Sequence, residues 1–310
     1  MTYIIEDANV VSDDGICVRS FLIIENKISH FGKSLKKYQG KRVNVSNYFM
    51  TPGHVMADFN ILQCDNFINY KKHLVKLIDK GCTTVVVPCY IRYESEFEKK
   101  IRAARHAMIN STIDFIIGVH MAAEKLSPQT IRLCKRHKLP YIIIDIEDKT
   151  NIFSIPWGWI REAQFQYQVP IYPKWNTKDK QLLKQQMNEW EQMTANHQIP
   201  TCLYFPFDDH PRPLQRLIRK QIGIYPKKGE LLIGNDLDYN LYQYPLDGEK
   251  VEESSKFNYD NNDPIITVHK GKLLKENGKV NFFPGYGQEL KLTMPGLFAS
   301  IDHVGNNPHL

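Results

Sequence analysis

Tyr48-Phe49-Met50-Thr51-Pro52-Gly53-His54-Val55-Met56-Ala57-Asp58-Phe59-Asn60 reads as a tight turn at Pro52-Gly53 feeding a short buried strand with polar side chains at its far end. The chain differs on its two sides. Ahead of it, short β-rich runs at 3–5, 9–11, 17–24, 27–32 and 42–45 alternate with turns, as in a small sheet. Behind it, from Asp65, strand-like apolar runs alternate with helical stretches, the pattern of successive βα units on a parallel sheet. The strand runs are 55–59, 83–88, 113–120, 141–146, 169–172 and 200–205, and helices fit 67–80, 94–108, 127–137, 156–167, 178–196 and 213–221. Ser127-Pro128 offers a helix N-cap followed by proline at the first helical position, and Gly223 offers a C-terminal stop.

With 310 residues, 42% of them hydrophobic, the chain can bury a substantial core as one large unit plus a smaller one, or as two middling ones. The start of the sequence shows no basic segment followed by an apolar run, and no apolar run approaches the roughly 18 residues of a membrane helix. The expectation is a soluble, cytoplasmic protein without a membrane partner. Six cysteines lack zinc-like spacing and read as reduced, mostly buried side chains. The net charge of +6 is mild, and the basic run at 212–228 fits the solvated face of an amphipathic helix. No aromatic-interleaved basic motif points to nucleic acid. No Gly-x-Gly-x-x-Gly, phosphate loop or Gly-x-Ser-x-Gly elbow supports nucleotide hydrolysis or serine catalysis.

The stretch at 48–60 resembles the first barrel strand of the amidohydrolase superfamily, where Pro-Gly is followed by Asp-x-His-x-His and both imidazoles ligate a catalytic metal. Laid on that pattern without a gap, this sequence keeps Pro52 and Gly53 but has Met56, Asp58 and Asn60 at the polar positions. A second resemblance lies at 223–242, Gly-Ile-Tyr-Pro-Lys-Lys-Gly-Glu-Leu-Leu-Ile-Gly-Asn-Asp-Leu-Asp-Tyr-Asn-Leu-Tyr, which looks like the return from barrel to sandwich in the hydantoinase and dihydropyrimidinase branch. Residues 265–274 and 277–280, with Asn277-Gly278 as a turn signal, match the hairpin that closes that sandwich. The resemblance implies an α/β fold: an incomplete TIM-like (β/α) barrel over 52–222 plus a small composite β-sandwich built from both chain ends, 1–51 and 223–310. A complete barrel takes about 250 residues and seldom fewer than 200, whereas His54 to Ile222 spans 169. Six parallel strands are therefore expected, the last two being missing. Exposed edges invite pairing, so a loop, an aromatic-rich helix or another subunit, including a homo-oligomer partner, should cover the gap. The aromatic group Trp157, Trp159, Phe165, Tyr167, Tyr172 and Trp175 suits core or lid packing there, with ligand stacking or a subunit interface as the alternative.

The resemblance also implies metal ligands: histidines on strand 1, a carboxylated lysine after strand 4, histidines after strands 5 and 6, and an aspartate after strand 8. Strand 4, at 141–146, contains no lysine. Strands 5 and 6 end in Tyr172-Pro173-Lys174 and Tyr204-Phe205. No cofactor is expected, and the alternative is one divalent metal at Asp58, Asn60 and His120, oxygen-rich donors suited to a hard cation. Asp208-Asp209-His210-Pro211 echoes the Asp-His-x-Pro phrase after strand 8, which would make Asp209 the acid-base group, or else a helix-capping turn. The C-terminal ends of the strands should form a binding mouth offering Asp58, Asn60, Cys89, Tyr90, His120, Glu147, Tyr172 and Asp209, with His54 as a further candidate. The expected function is a degenerate, metal-free relative that binds a small molecule or a protein partner. The alternative is a hydrolase of C–N bonds in a cyclic amide.

Overall fold

The computed structural model describes residues 2–12, 15–33, 35–207, 211–243 and 263–296. The N-terminal runs form β1 (Thr2–Ser12), β2 (Gly15–Ile24), β3 (Lys27–Gly32), β4 (Lys41–Asn44) and β5 (Tyr48–Pro52). β1 pairs with β2 antiparallel, with β4 in parallel through Tyr3 to Glu6, and with β5 in parallel through Asn9 and Val10. Its register shifts between Ile5 and Ala8, where Asp7 takes φ 53°, so β1 serves different neighbours with its two halves.

Past Gly53 the chain enters β6 (His54–Ala57) and then alternates helix and strand: α1 (Phe67–Asp79), β7 (Cys82–Tyr90), α2 (Phe97–Ala107), β8 (Asp114–Ala122), α3 (Pro128–His137), β9 (Ile142–Ile146), α4 (Trp157–Ala163), β10 (Ile171–Trp175) and α5 (Lys180–Asn196). The five strands form one parallel sheet, ordered β10-β9-β8-β7-β6. Local chemistry fixes the helix starts: Asn66 accepts from Asn69 N at 2.9 Å, Ser127 from Thr130 N at 3.2 Å, and Asp179 from Gln181 N at 2.8 Å. After α6 (Arg216–Ile222), Gly223 closes the helix at φ 85°, a left-handed conformation that glycine adopts at little cost.

The C-terminal part supplies β11 (Tyr239–Gln243), β12 (Ile266–His269), β13 (Lys272–Glu276) and β14 (Lys279–Val280). β11 pairs antiparallel with β5, from Tyr239 opposite Pro52 to Gln243 opposite Tyr48. Both chain ends thereby share one nine-stranded sheet, separate from the parallel one. Asn277-Gly278 makes the β13–β14 turn, with φ 47° and 78°, and Lys270-Gly271 makes the β12–β13 turn in the same way. The next residues return to the parallel sheet, where Gly287 N donates to Ser111 O and Leu290 N to Phe115 O.

Side chains of the parallel sheet divide between two cores. Met56, Val85, Val87, Ile117, Val119 and Ile144 pack outward against the helices, whereas Val55, Val86, Ile116, Tyr141, Ile143 and Tyr172 meet Phe205, Leu214, Ile218 and Ile222 on the inner face. A Cβ at Gly118 would collide with the Tyr141 ring. The space around which the sheet curls is therefore packed, and each large apolar side chain buried there contributes about 1.5–3 kcal/mol.

The sixth strand expected at 200–205 is not formed. Pro200, Pro206, Pro211 and Pro213 punctuate that segment, and proline cannot donate to a sheet ladder. Its described parts, 200–207 and 211–215, form no regular strand and lie against the open side. At one edge Ile171 N donates to Pro200 O at 2.9 Å, and at the other Leu214 N donates to Val55 O at 2.7 Å. These residues and α6 thus provide cover of the kind expected. In the aromatic group, Trp157, Tyr167 and Tyr172 are buried, while Trp159 and Phe165 are 67% and 74% exposed. None of the six cysteines is in a disulfide, and Cys82, Cys89 and Cys134 are buried while Cys17, Cys64 and Cys202 are only partly so, fewer than expected. No helix among the described residues is long and apolar enough to cross a membrane.

Candidate functional site at the mouth of the parallel sheet

Side chains alternate along a strand, so the inner face can be followed upward from its apolar floor. From Val86, Ile116, Ile143 and Tyr172 that alternation leads to Tyr90, His120, Asp145 and Lys174 at the C-terminal ends, with Phe59 beside them. His120 Nε2 lies 2.9 Å from Asp145 Oδ2, and Lys174 Nζ lies 3.8 Å from Asp145 Oδ1. Asn176 Nδ2 donates to Asp145 Oδ1 at 3.2 Å. The imidazole meets the rings of Tyr90 and Phe59 edge to face, with centroids 5.2 and 6.2 Å away. The Lys174 ammonium stands 5.9 Å from the Phe59 ring centre.

Partial burial by itself would raise the Asp145 pKa. The close approach and charge of His120, with Lys174 and Asn176, outweigh it and hold the carboxyl below its ordinary range. The mouth thus presents an ionised carboxylate flanked by an imidazole and an ammonium, between aromatic walls.

Several candidates from the sequence lie elsewhere. Asp58 faces outward: its Oδ1 accepts from Asn60 N and Ile61 N at 2.8 and 2.7 Å, and Oδ2 lies 3.3 Å from His73 Nδ1 on α1. Asn60 lines an open cleft of about 290 Å³ on that outer side with Gln63, Cys64, Asp65, Asn69 and His73. Cys89 also packs outward, its thiol 3.7 Å from Lys100 O. His54 begins β6 at the opposite end of the sheet, 2.7 Å from Tyr242 Oη, where burial first and the Arg219 charge second push its pKa down to about 3. Tyr172 is fully buried below the mouth, its ring 5.0 Å from that of Phe205. Glu147 is exposed just past β9. Asp209 lies outside the described residues. Of the mouth candidates, the structure brings together Tyr90 and His120. Sequence reasoning missed Phe59, Asp145 and Lys174, although the charged Asp145 inside the apolar run at 141–146 was a usable signal, whereas Lys174 fell beyond the run read at 169–172.

Among solved structures, the chain is similar to the dihydropyrimidinase from Brevibacillus agri NCHU1002, with TM-score 0.60 and 10% identity over 94% of this chain and 99% of that one. It is also similar to the L-hydantoinase from Arthrobacter aurescens, with TM-score 0.57 and 12% identity over 94% and 100%. The fold is that of the hydantoinases and dihydropyrimidinases. The β-aspartyl dipeptidase from Fervidobacterium islandicum AW-1 shares it at TM-score 0.52 and 13% identity, over 91% and 99%. At these identities the likeness is one of fold. No family model matches the sequence, and no curated protein matches it.

The metal centre that the resemblance at 48–60 implies can be tested against the residues in this hydantoinase-like fold. The strand 1 candidate Asp58 is turned to α1, and the strand 4 position holds Asp145, already bound to His120, Lys174 and Asn176. Among the described residues no group of three or more His, Cys, Asp or Glu side chains could hold a metal ion. A metal centre typically needs about three protein ligands, and among the described residues the candidates Asp58 and His120 do not converge on one, Asp58 facing α1 and His120 facing Asp145.

Proposed function

We propose that this protein is a hydantoinase-like fold that binds a small molecule at the mouth of its parallel sheet without using a metal. In this reading the parallel sheet is a (β/α) barrel cut short after its fifth strand, and the shared sheet of the two chain ends is the counterpart of the sandwich. The observation that carries the proposal is the ring of Phe59, Tyr90, His120, Asp145 and Lys174 at the C-terminal ends of the parallel strands. Hydrolysis of a cyclic amide near neutral pH needs a water whose pKa is brought toward about 7, the usual work of a bound metal. The mouth instead offers what recognition needs: hydrogen-bonding groups that fix orientation, and aromatic faces against which a flat ring can lie.

Hydantoin and dihydrouracil are suitable probes. The expected result is turnover no faster than a buffer blank, with or without added zinc or manganese, together with a ligand-dependent rise in melting temperature that Lys174→Met cancels. Turnover that Asp145→Asn or Asp209→Ala abolishes in folded protein would overturn the proposal in favour of a hydrolase. Absence of any stabilisation would overturn it in favour of a protein-binding role.

A further inference from the structure

The opposite end of the parallel sheet carries a second cluster of charges, which the proposed ligand site does not use. Lys228 Nζ, 3% exposed, lies 2.8 Å from Asp114 Oδ2, 2.9 Å from Asp236 Oδ2 and 2.7 Å from Asp238 Oδ2. Lys270 Nζ lies 2.6 Å from Asp114 Oδ1. The fully buried imidazole of His269 stands between two carboxylates, with Nδ1 2.9 Å from Asp238 Oδ1 and Nε2 3.5 Å from Asp114 Oδ1. These groups come from four places: the first residue of β8, the connection at 223–238, the end of β12 and the β12–β13 turn.

We propose that this cluster is a proton-operated latch, in which a doubly protonated His269 clamps the β12–β13 turn and the 223–238 connection onto the base of the parallel sheet. Geometry is the first support. An ionised carboxylate only accepts hydrogen bonds, and a neutral imidazole donates from one nitrogen only. A carboxylate faces each ring nitrogen, so a hydrogen on Nε2 as well as on Nδ1 replaces a lone pair set against a negative oxygen with a favourable charge contact, although at 3.5 Å Nε2 makes no hydrogen bond. Charge balance is the second support. Asp114, Asp236 and Asp238 bring three negative charges and Lys228 and Lys270 two positive ones, so the cluster is neutral only when His269 is protonated. An uncompensated charge in a buried site is costly.

The other neighbours are aromatic, neutral or at the exposed rim, where Lys27 lies opposite Asp236 in an antiparallel bridge. The Tyr286 ring meets His269 edge to face at 5.7 Å, and Lys272 lies over the outer ring pair of Phe283 and Tyr286. β7, packed against β12, begins with the neutral Cys82, Thr83 and Thr84, and burial holds the Cys82 thiol up at about 12. Burial alone would lower the His269 pKa, but Asp238 and Asp114 outweigh it and the net shift is upward. The sign follows. A raised pKa gives stability that is fully present below the unfolded value of about 6.5 and is lost as pH rises through the folded value. Two backbone bonds open with the latch, Lys270 N to Asp238 Oδ1 at 2.7 Å and Gln288 N to Asp114 Oδ1 at 2.9 Å.

Melting curves of the full chain between about pH 6 and pH 9 test the latch in wild type, His269→Gln and Asp236→Asn. Wild type should lose roughly 3 °C or more across that window. His269→Gln should start lower and stay flat, meeting wild type at the alkaline end. Asp236→Asn, which alters the most exposed of the three carboxylates (29% against 6% and 0%), balances the cluster without the proton and should shrink the alkaline loss. Hydrogen exchange at the Lys270 and Gln288 amides should rise over the same window by more than its intrinsic base dependence. Parallel melting curves for wild type and Asp236→Asn would overturn the proposal, even if His269→Gln fails to fold, and so would unchanged protection of those two amides.

Discussion

The two ends of the parallel sheet use the same three side-chain types to different ends. At the mouth, His120, Asp145 and Lys174 are 12%, 14% and 34% exposed. At the base, His269, Asp114 and Lys228 are 0%, 0% and 3% exposed. Water reaches the first group, so its charges are screened and its donors remain open to a ligand. The three at the base are out of water's reach, so each of their charges must be matched by another protein group. Burial, not residue type, separates a candidate binding site from a structural fastening. The pKa values follow the same division. Asp238 at the base is held down to about 2: burial works against ionisation, but the charge and hydrogen bond of His269 and then those of Lys228 outweigh it.

The largest test of this contrast is Lys228→Met, which removes an ammonium from among three carboxylates. Breaking a buried pair from one side costs about 3–5 kcal/mol, to be read from urea denaturation. A loss below about 1 kcal/mol would show that the base tolerates change as the mouth does. Between the two ends, Gly118→Ala forces the Tyr141 ring to move and should cost about 1–3 kcal/mol by overpacking. A neutral result in the same denaturation series would mean that the interior is loosely filled and that the ends are not insulated from each other. The smallest effect is expected at the mouth. His120→Ala leaves Asp145 with Lys174 and Asn176, so stability should fall by no more than about 1 kcal/mol. A larger loss would make His120 part of the scaffold.

Signals that act over a few residues were legible in the sequence. The Pro52-Gly53 entry to β6, the Ser127 cap ahead of Pro128, the Gly223 helix stop and the Asn277-Gly278 turn each follow from the dihedral preferences or hydrogen-bonding groups of one or two residues. They mark where elements start and stop, whereas the joining of the two chain ends was an expectation of the resemblance at 223–242 and 265–280. Tertiary structure alone decided which way the strand residues face. β6 is buried on both sides, with Val55 in one core and Met56 in the other, and such a strand reads as a continuous apolar run without an inside and an outside. A gapless count therefore set Asp58 and Asn60 at the mouth, whereas the fold turned Asp58 to α1 and brought Phe59 inward; one residue of offset exchanges the faces. The prolines of 200–213 were visible, but the irregular residues near Pro200 and Leu214 gained their role only from the sheet edges they meet. Asp114, Lys228 and His269 are far apart in the chain and unremarkable locally, and their meeting depends on how the two sheets pack, which no local pattern encodes.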